Sequence, residues 1–207
     1  MSKQQARPKP AKKQQRAQKP VVALNNTGAY ISVTFTVCGP FETPIKLKGQ
    51  GAISFPSRNP GKLFALSDAK AYAEDVGCYV MARQFGDSFT PIYVGKTTRN
   101  FEREVFDVDK REKYLLGAQE FSNGKLVLFL LIPQTEQTFG RADAIRDLER
   151  YLVEKGKEAN PNLQNQRLVP KRLFRIAGIH NATPGQPRKE VQLFRKMMGN
   201  KSKAKAT

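Results

Sequence analysis

One histidine, His180, and two cysteines, Cys38 and Cys78, are all the imidazole and thiol that a chain of 207 residues can offer a metal. A single histidine excludes multi-histidine metal centres and any triad that needs a second imidazole. The two cysteines stand 40 residues apart, far from metal-ligand spacing. A disulfide between them is allowed but not required, so a reducing, cytoplasmic setting is expected. No apolar run approaches the roughly 18 residues of a membrane span. The run LVLFLLI, Leu126–Ile132, has the length of a strand. The chain opens without an apolar signal segment, and no membrane partner is expected.

Acids are scarce as well: 18 Asp and Glu face 36 Lys and Arg, a formal net charge of +18. That charge is concentrated at the ends. Residues 1–20 hold seven bases and no acid, and residues 167–207 hold eleven bases against Glu190 alone. The 146 residues between them carry a net +1. Basic arms of this kind grip phosphate backbones by releasing counterions, without reading sequence. Charge this one-sided is self-repelling unless a polyanion compensates it, so nucleic acid is the expected partner, ahead of a role in solubility or addressing. The mean hydropathy of −0.55 agrees with solvated tails around a smaller body.

Four segments follow. Residues 1–22, rich in Lys, Gln, Pro and Ala, are expected to be a disordered tail. Residues 23–75 read as a β-rich extension packing on the core. Its strand is AYISVTFTVCG (Ala29–Gly39), two short strands flank Gly49-Gln50-Gly51, SRNPGK (Ser57–Lys62) is a loop, and a helix is capped by Ser67. Residues 76–166 alternate strand, loop, strand, helix, strand, helix. The strands are GCYVMARQF (Gly77–Phe85), PIYVG (Pro91–Gly95) and LVLFLLI; the helices run from Thr98 to about Gln119 and from Gly140 to about Ala159. Residues 167–207 form a basic extension in which LVPKRLFRIAGI (Leu168–Ile179) reads as a strand. Val191, Phe194, Met197 and Met198 mark one side of a short helix there.

The stretch VGKTT after Tyr93 ends like a phosphate-binding loop. Such a loop needs a glycine five residues before Gly95, where its backbone would curl around phosphate, but Thr90 stands there. The nucleotide-loop reading fails. A second pattern spans distant positions: Gly77-Cys78-Tyr79 and Tyr93-Val94-Gly95 on paired strands, and Arg103 ten residues after Tyr93. Glu149 lies among Ile145, Leu148 and Leu152, before the closing Asn160-Pro161-Asn162-Leu163-Gln164-Asn165. In an antiparallel hairpin the two tyrosines can rise from one face.

In order and spacing this constellation resembles the GIY-YIG nuclease family over about 90 residues, Gly77 to Asn165. The resemblance implies an α+β fold: a small domain with a three-stranded central antiparallel sheet flanked by helices, here with the β-rich extension and basic tails added. It implies an endonuclease hydrolysing phosphodiester bonds, DNA favoured over RNA, with Mg²⁺ or Mn²⁺ as cofactor. Tyr79 and Tyr93 match the family tyrosines, Lys96 an active-site lysine of the excision-repair branch, and Arg103 the family arginine. Glu149 matches the metal-binding glutamate and Asn165 the asparagine, with Asn162 second. Cys78 replaces the usual isoleucine, and Asp107 stands where homing-type members carry histidine.

The chemistry such a site performs needs oriented water, charge neutralisation on phosphoryl oxygens and help for the leaving oxygen. Glu149 suits a magnesium ion that keeps most of its waters. Arg103 suits a phosphate oxygen. With His180 outside the motif, Tyr93 is the expected proton acceptor, its phenolate favoured by Lys96, Arg103 or metal-bound hydroxide. Bland alternatives stand beside each assignment. Arg103 would pair with Glu102, Glu104 or Asp107, Glu149 with Arg146 or Arg150, and Asn165 would only shape a turn. At the level of the whole chain, the rival is a catalytically silent nucleic-acid-binding protein on the same fold.

Overall fold

A computed structural model describes residues 32–48, 52–134, 141–165, 175–180 and 188–199. The N-terminal tail, the Gly49-Gln50-Gly51 turn and much of the basic C-terminal segment lie outside the described residues. The chain is α+β. Its centre is β4 (Gly77–Phe85), which pairs antiparallel with β5 (Ser88–Thr97) on one side and with β6 (Lys125–Pro133) on the other. The sheet does not stop at three strands. β1 (Ser32–Glu42) pairs antiparallel with β6, and β7 (Arg175–His180) lies parallel to β1, giving the order β5-β4-β6-β1-β7. The strand assigned to an N-terminal extension is therefore hydrogen-bonded into the main sheet.

Both faces of the sheet are covered, which is why β6 reads as an unbroken apolar run. Val127, Phe129 and Leu131 join Val80 and Val94 beneath α4 (Arg141–Ala159) and α5 (Lys189–Met197). Leu126, Leu128 and Leu130 face the other way, with Tyr79, Met81 and Ile92. They pack against α1 (Pro60–Ala65), α2 (Phe101–Glu104) and α3 (Val108–Ala118). A small hairpin of β2 (Lys46–Lys48) and β3 (Ala52–Ser54) joins that side through Leu47 and Ile53. In α5, Val191, Phe194, Met197 and Met198 are buried as their spacing predicts, so this part of the basic C-terminal segment is docked on the body.

Local chemistry moved three boundaries. SRNPGK is not all loop: Asn59 caps α1, its Oδ1 accepting from the Lys62 N–H at 3.1 Å, and Pro60 occupies the first turn. Ser67 caps no helix. Its hydroxyl donates to the Phe64 carbonyl at 2.7 Å, and only a 3₁₀ turn, Lys70–Tyr72, follows. The single helix expected from Thr98 is broken at Asp107, whose side chain accepts from the Val108 N–H at 2.7 Å and starts α3 afresh.

β5 is an edge strand, and exposed edges invite unwanted pairing. The segment after α4 closes this one with side chains. Asn160 Nδ2 donates to the Pro91 carbonyl at 2.8 Å, and the Gln164 N–H donates to the Ile92 carbonyl at 2.9 Å. Asn165 then spans Val94, donating from Nδ2 to its carbonyl at 2.7 Å and accepting its N–H at Oδ1 at 2.9 Å. Asn160→Ala strands the buried Pro91 carbonyl and is expected to destabilise by about 1–3 kcal/mol, read from the midpoint of urea unfolding.

Candidate active site

The two motif glycines are where the site's geometry is set. Gly77 has φ +151°, and a Cβ there would lie 2.1 Å from the Leu131 carbonyl oxygen. Only glycine fits at the start of β4. Gly95 sits directly across from Tyr79 in the β4–β5 register, and a Cβ there would come within 2.3 Å of the Tyr79 ring. The glycine of the second tripeptide thus has a steric cause: Tyr79 crosses the neighbouring strand at a point where no side chain can stand.

Tyr79 and Tyr93 share one face of the sheet, their ring centroids 6.2 Å apart. Tyr79 is fully buried and also meets Phe101 edge-on at 6.4 Å. Among the described residues its hydroxyl meets no acceptor or donor in good hydrogen-bond geometry, although it lies close enough to Tyr114 to influence that phenol. Tyr93 is half-buried and stands edge-on to Tyr114 at 5.9 Å. Tyr114 is buried on α3 and donates its proton to the Val105 carbonyl. It completes the aromatic cluster, yet nothing in its local sequence distinguishes it from any core residue of an amphipathic helix.

Lys96 lies opposite Cys78 in the register, on the face turned towards α4. There its Nζ donates to Glu149 Oε2 at 2.6 Å, an ion pair whose side chains are 35% and 21% exposed. Of the alternative partners of Glu149, Arg146 pairs with Asp143 and Arg150 with Asp147. Glu149 is not the only acid of α4 that turns inward, for Asp147 does so too. At 1% exposure Asp147 is the more buried of the two, and the part-buried Arg150 beside it offsets its charge.

Arg103 is not brought to this cluster by any recorded contact. It is exposed on α2, and among the described residues its guanidinium forms no ion pair or hydrogen bond, with Glu102, Glu104 and Asp107 or with Glu149. Asn165 has both ends of its amide engaged by the Val94 backbone, between Tyr93 and Gly95. That makes it a positioning residue for β5. Asn162 is exposed in the turn, with its N–H donated to Asn160 Oδ1 at 3.0 Å.

The electrostatics overturn the expected phenolate. Burial pushes the Tyr93 phenol far above its ordinary value, and the charges of Glu149, Glu104 and Asp109 push it further in the same direction. Burial is the largest of these causes. Tyr93 is a neutral phenol at pH 7. Tyr79 and Tyr114 are raised as well, again chiefly by burial. Cys78, buried beneath the ion pair with its thiol donating to the Ile145 carbonyl at 3.2 Å, is raised by burial and then by Glu149. Both cysteines are free thiols.

Among the described residues no group of three or more His, Cys, Asp and Glu stands together. A metal caged by protein ligands does not fit here. A hydrated magnesium ion held through one carboxylate does, since that ion keeps several waters and Glu149 already accepts a cation. Among the described residues no helix is long and apolar enough to cross a membrane. Comparison with family models, curated proteins and solved structures returns no match.

Two outcomes follow from this packing. Gly95→Ala is expected to cost about 1–3 kcal/mol by forcing the Tyr79 ring aside, a penalty that shrinks in a Tyr79→Leu background. Phenols with raised folded pKa values stabilise the fold fully below the unfolded value of about 10. That contribution is lost as pH climbs from there towards the folded values. The thermal midpoint should fall above about pH 10, and less steeply in Tyr93→Phe.

Proposed function

We propose that this chain is a divalent-cation-dependent endonuclease of the GIY-YIG type, acting on nucleic acid and on DNA in preference to RNA. One observation carries the reading. The helix α4 presents a partly exposed carboxylate, Glu149, to a lysine on the edge strand whose neighbouring phenol feels the same negative charge. The order of elements β4, β5, α2, α3, β6, α4, with β4 between its two partners, supports it, as does the charge gathered at the chain ends.

Glu149 would hold the ion, Mg²⁺ or Mn²⁺, which when bound supplies Lewis-acid polarisation of the phosphate. The remaining work falls to the chain's own groups. Tyr93, being neutral, is not a base that waits ionised. Its oxygen can accept the proton of the attacking water while its own proton passes to a phosphoryl oxygen and from there to the leaving oxygen as its P–O bond breaks, so that no phenolate is required. Lys96 would bring positive charge to the phosphate as a mobile point charge, and Arg103, which stands apart on α2, would have to swing in to add its planar fork. Tyr79 and Asn165 keep Tyr93 and Gly95 in place from either side of β5.

A silent binding protein is the second reading. It is favoured by the self-neutralised Lys96–Glu149 pair and by an arginine that stands apart from it. The two separate in one assay of supercoiled plasmid with Mg²⁺ or Mn²⁺. The nuclease reading expects nicked product, a loss of about 10²-fold or more for Glu149→Ala, and binding to DNA retained. Binding with no cut product on supercoiled, branched and single-stranded substrates would establish the silent reading instead.

A further inference from the structure

We propose that Lys96 is a built-in counter-ion that competes with the divalent cation for Glu149, so that loading the site releases the ammonium towards the phosphate. The inference rests on the nuclease reading of this site and adds to it a rule for how the site is filled.

The geometry is specific. The Lys96 Nζ lies 2.6 Å from Glu149 Oε2, within the range of a charge-assisted hydrogen bond. An ammonium at that distance stands on the carboxylate oxygen that an ion would coordinate. Two cations cannot share the spot cheaply, because their mutual repulsion grows as the site is screened from water. Other anionic partners are scarce: the remaining acids of α4 nearby, Asp143 and Asp147, are taken by Arg146 and Arg150. With those two acids engaged, the alternatives open to Lys96 include solvent and a bound phosphate.

The two partners also differ in mobility. The Lys96 backbone is fixed in β5 by its pairing with Cys78, whereas its side chain is 35% exposed and ends in a flexible four-carbon stem. Glu149 is held on α4, which packs on the sheet through Ile145, Leu148 and Leu152, and is 21% exposed. When the pair opens, the lysine is the member that swings. In the unloaded protein the same contact spares Glu149 an unpaired, half-buried charge.

The test is Mn²⁺ titration of the full chain by calorimetry, with wild type, Lys96→Met, Lys96→Arg and Glu149→Gln. Lys96→Met is expected to bind Mn²⁺ about two- to fivefold more tightly than wild type, the order of a lost competing ion pair in a partly exposed site. Lys96→Arg, which keeps the charge, should stay near wild type, and Glu149→Gln should lose the site. Glu149-dependent binding that is unchanged or weakened in Lys96→Met overturns the competition while leaving the cation site intact. Equal binding in wild type and Glu149→Gln removes the cation site and the competition together. A measurement on the unmutated protein covers the case in which Lys96→Met fails to fold: reductive methylation followed by mass spectrometry. Saturating Mg²⁺ should raise the labelling rate of Lys96 severalfold relative to Lys62, an exposed lysine on α1. An unchanged rate contradicts the proposal.

Discussion

The account turns on one ion pair, Lys96 to Glu149, that ties an edge strand to the helix above it. Everything that makes the site distinctive meets at β5. On one side of this strand Lys96 reaches α4; on the other, Tyr93 joins the aromatic cluster of Tyr79 and Tyr114. The strand's outer edge is sealed by Asn160 and Asn165, so its backbone is held without a further strand. A side chain displaced on β5 would move acid, ammonium and phenol relative to one another.

The same packing decides the protonation states. Close approach of the β4 and β5 backbones, with no side chain at Gly95, lets Tyr79 lie buried against its neighbour and keeps water from the phenols. Desolvation then outweighs the acids nearby as the cause of their raised pKa values. A site designed around a resting phenolate would need cations beside Tyr93. Here the charges that reach it are those of Glu149, Glu104 and Asp109. The lysine that might have compensated is engaged by Glu149 on the far face of the strand.

Much of the fold was legible because local signals and burial agree. GCYVMARQF and the LVLFLLI run are strands, and the spacing of Ile145, Leu148 and Leu152 gave α4 nearly its full length. Short elements were harder. Asn59-Pro60 serves equally as turn chemistry and as a helix cap, and Asp107 gave no warning that it would split one amphipathic stretch into α2 and α3. The place of β1 beside β6 is a pairing between residues some ninety positions apart, which no local pattern encodes. In the site, the pairing of tyrosines across a hairpin followed from strand register. The partnership of Lys96 with Glu149, the burial of Asp147 and the exposed stance of Arg103 depend on how α4 and α2 seat on the sheet, and so became visible only in three dimensions.

The most direct measurement is paramagnetic broadening by Mn²⁺ in the NMR spectrum of the full chain, labelled at Lys, Tyr and Glu. The account predicts that substoichiometric Mn²⁺ broadens the signals of Glu149, Lys96 and Tyr93 first and leaves Tyr72, beside Phe41 on the opposite part of the sheet, sharp. Broadening centred on another cluster of acids, or none at the α4–β5 corner, would contradict it.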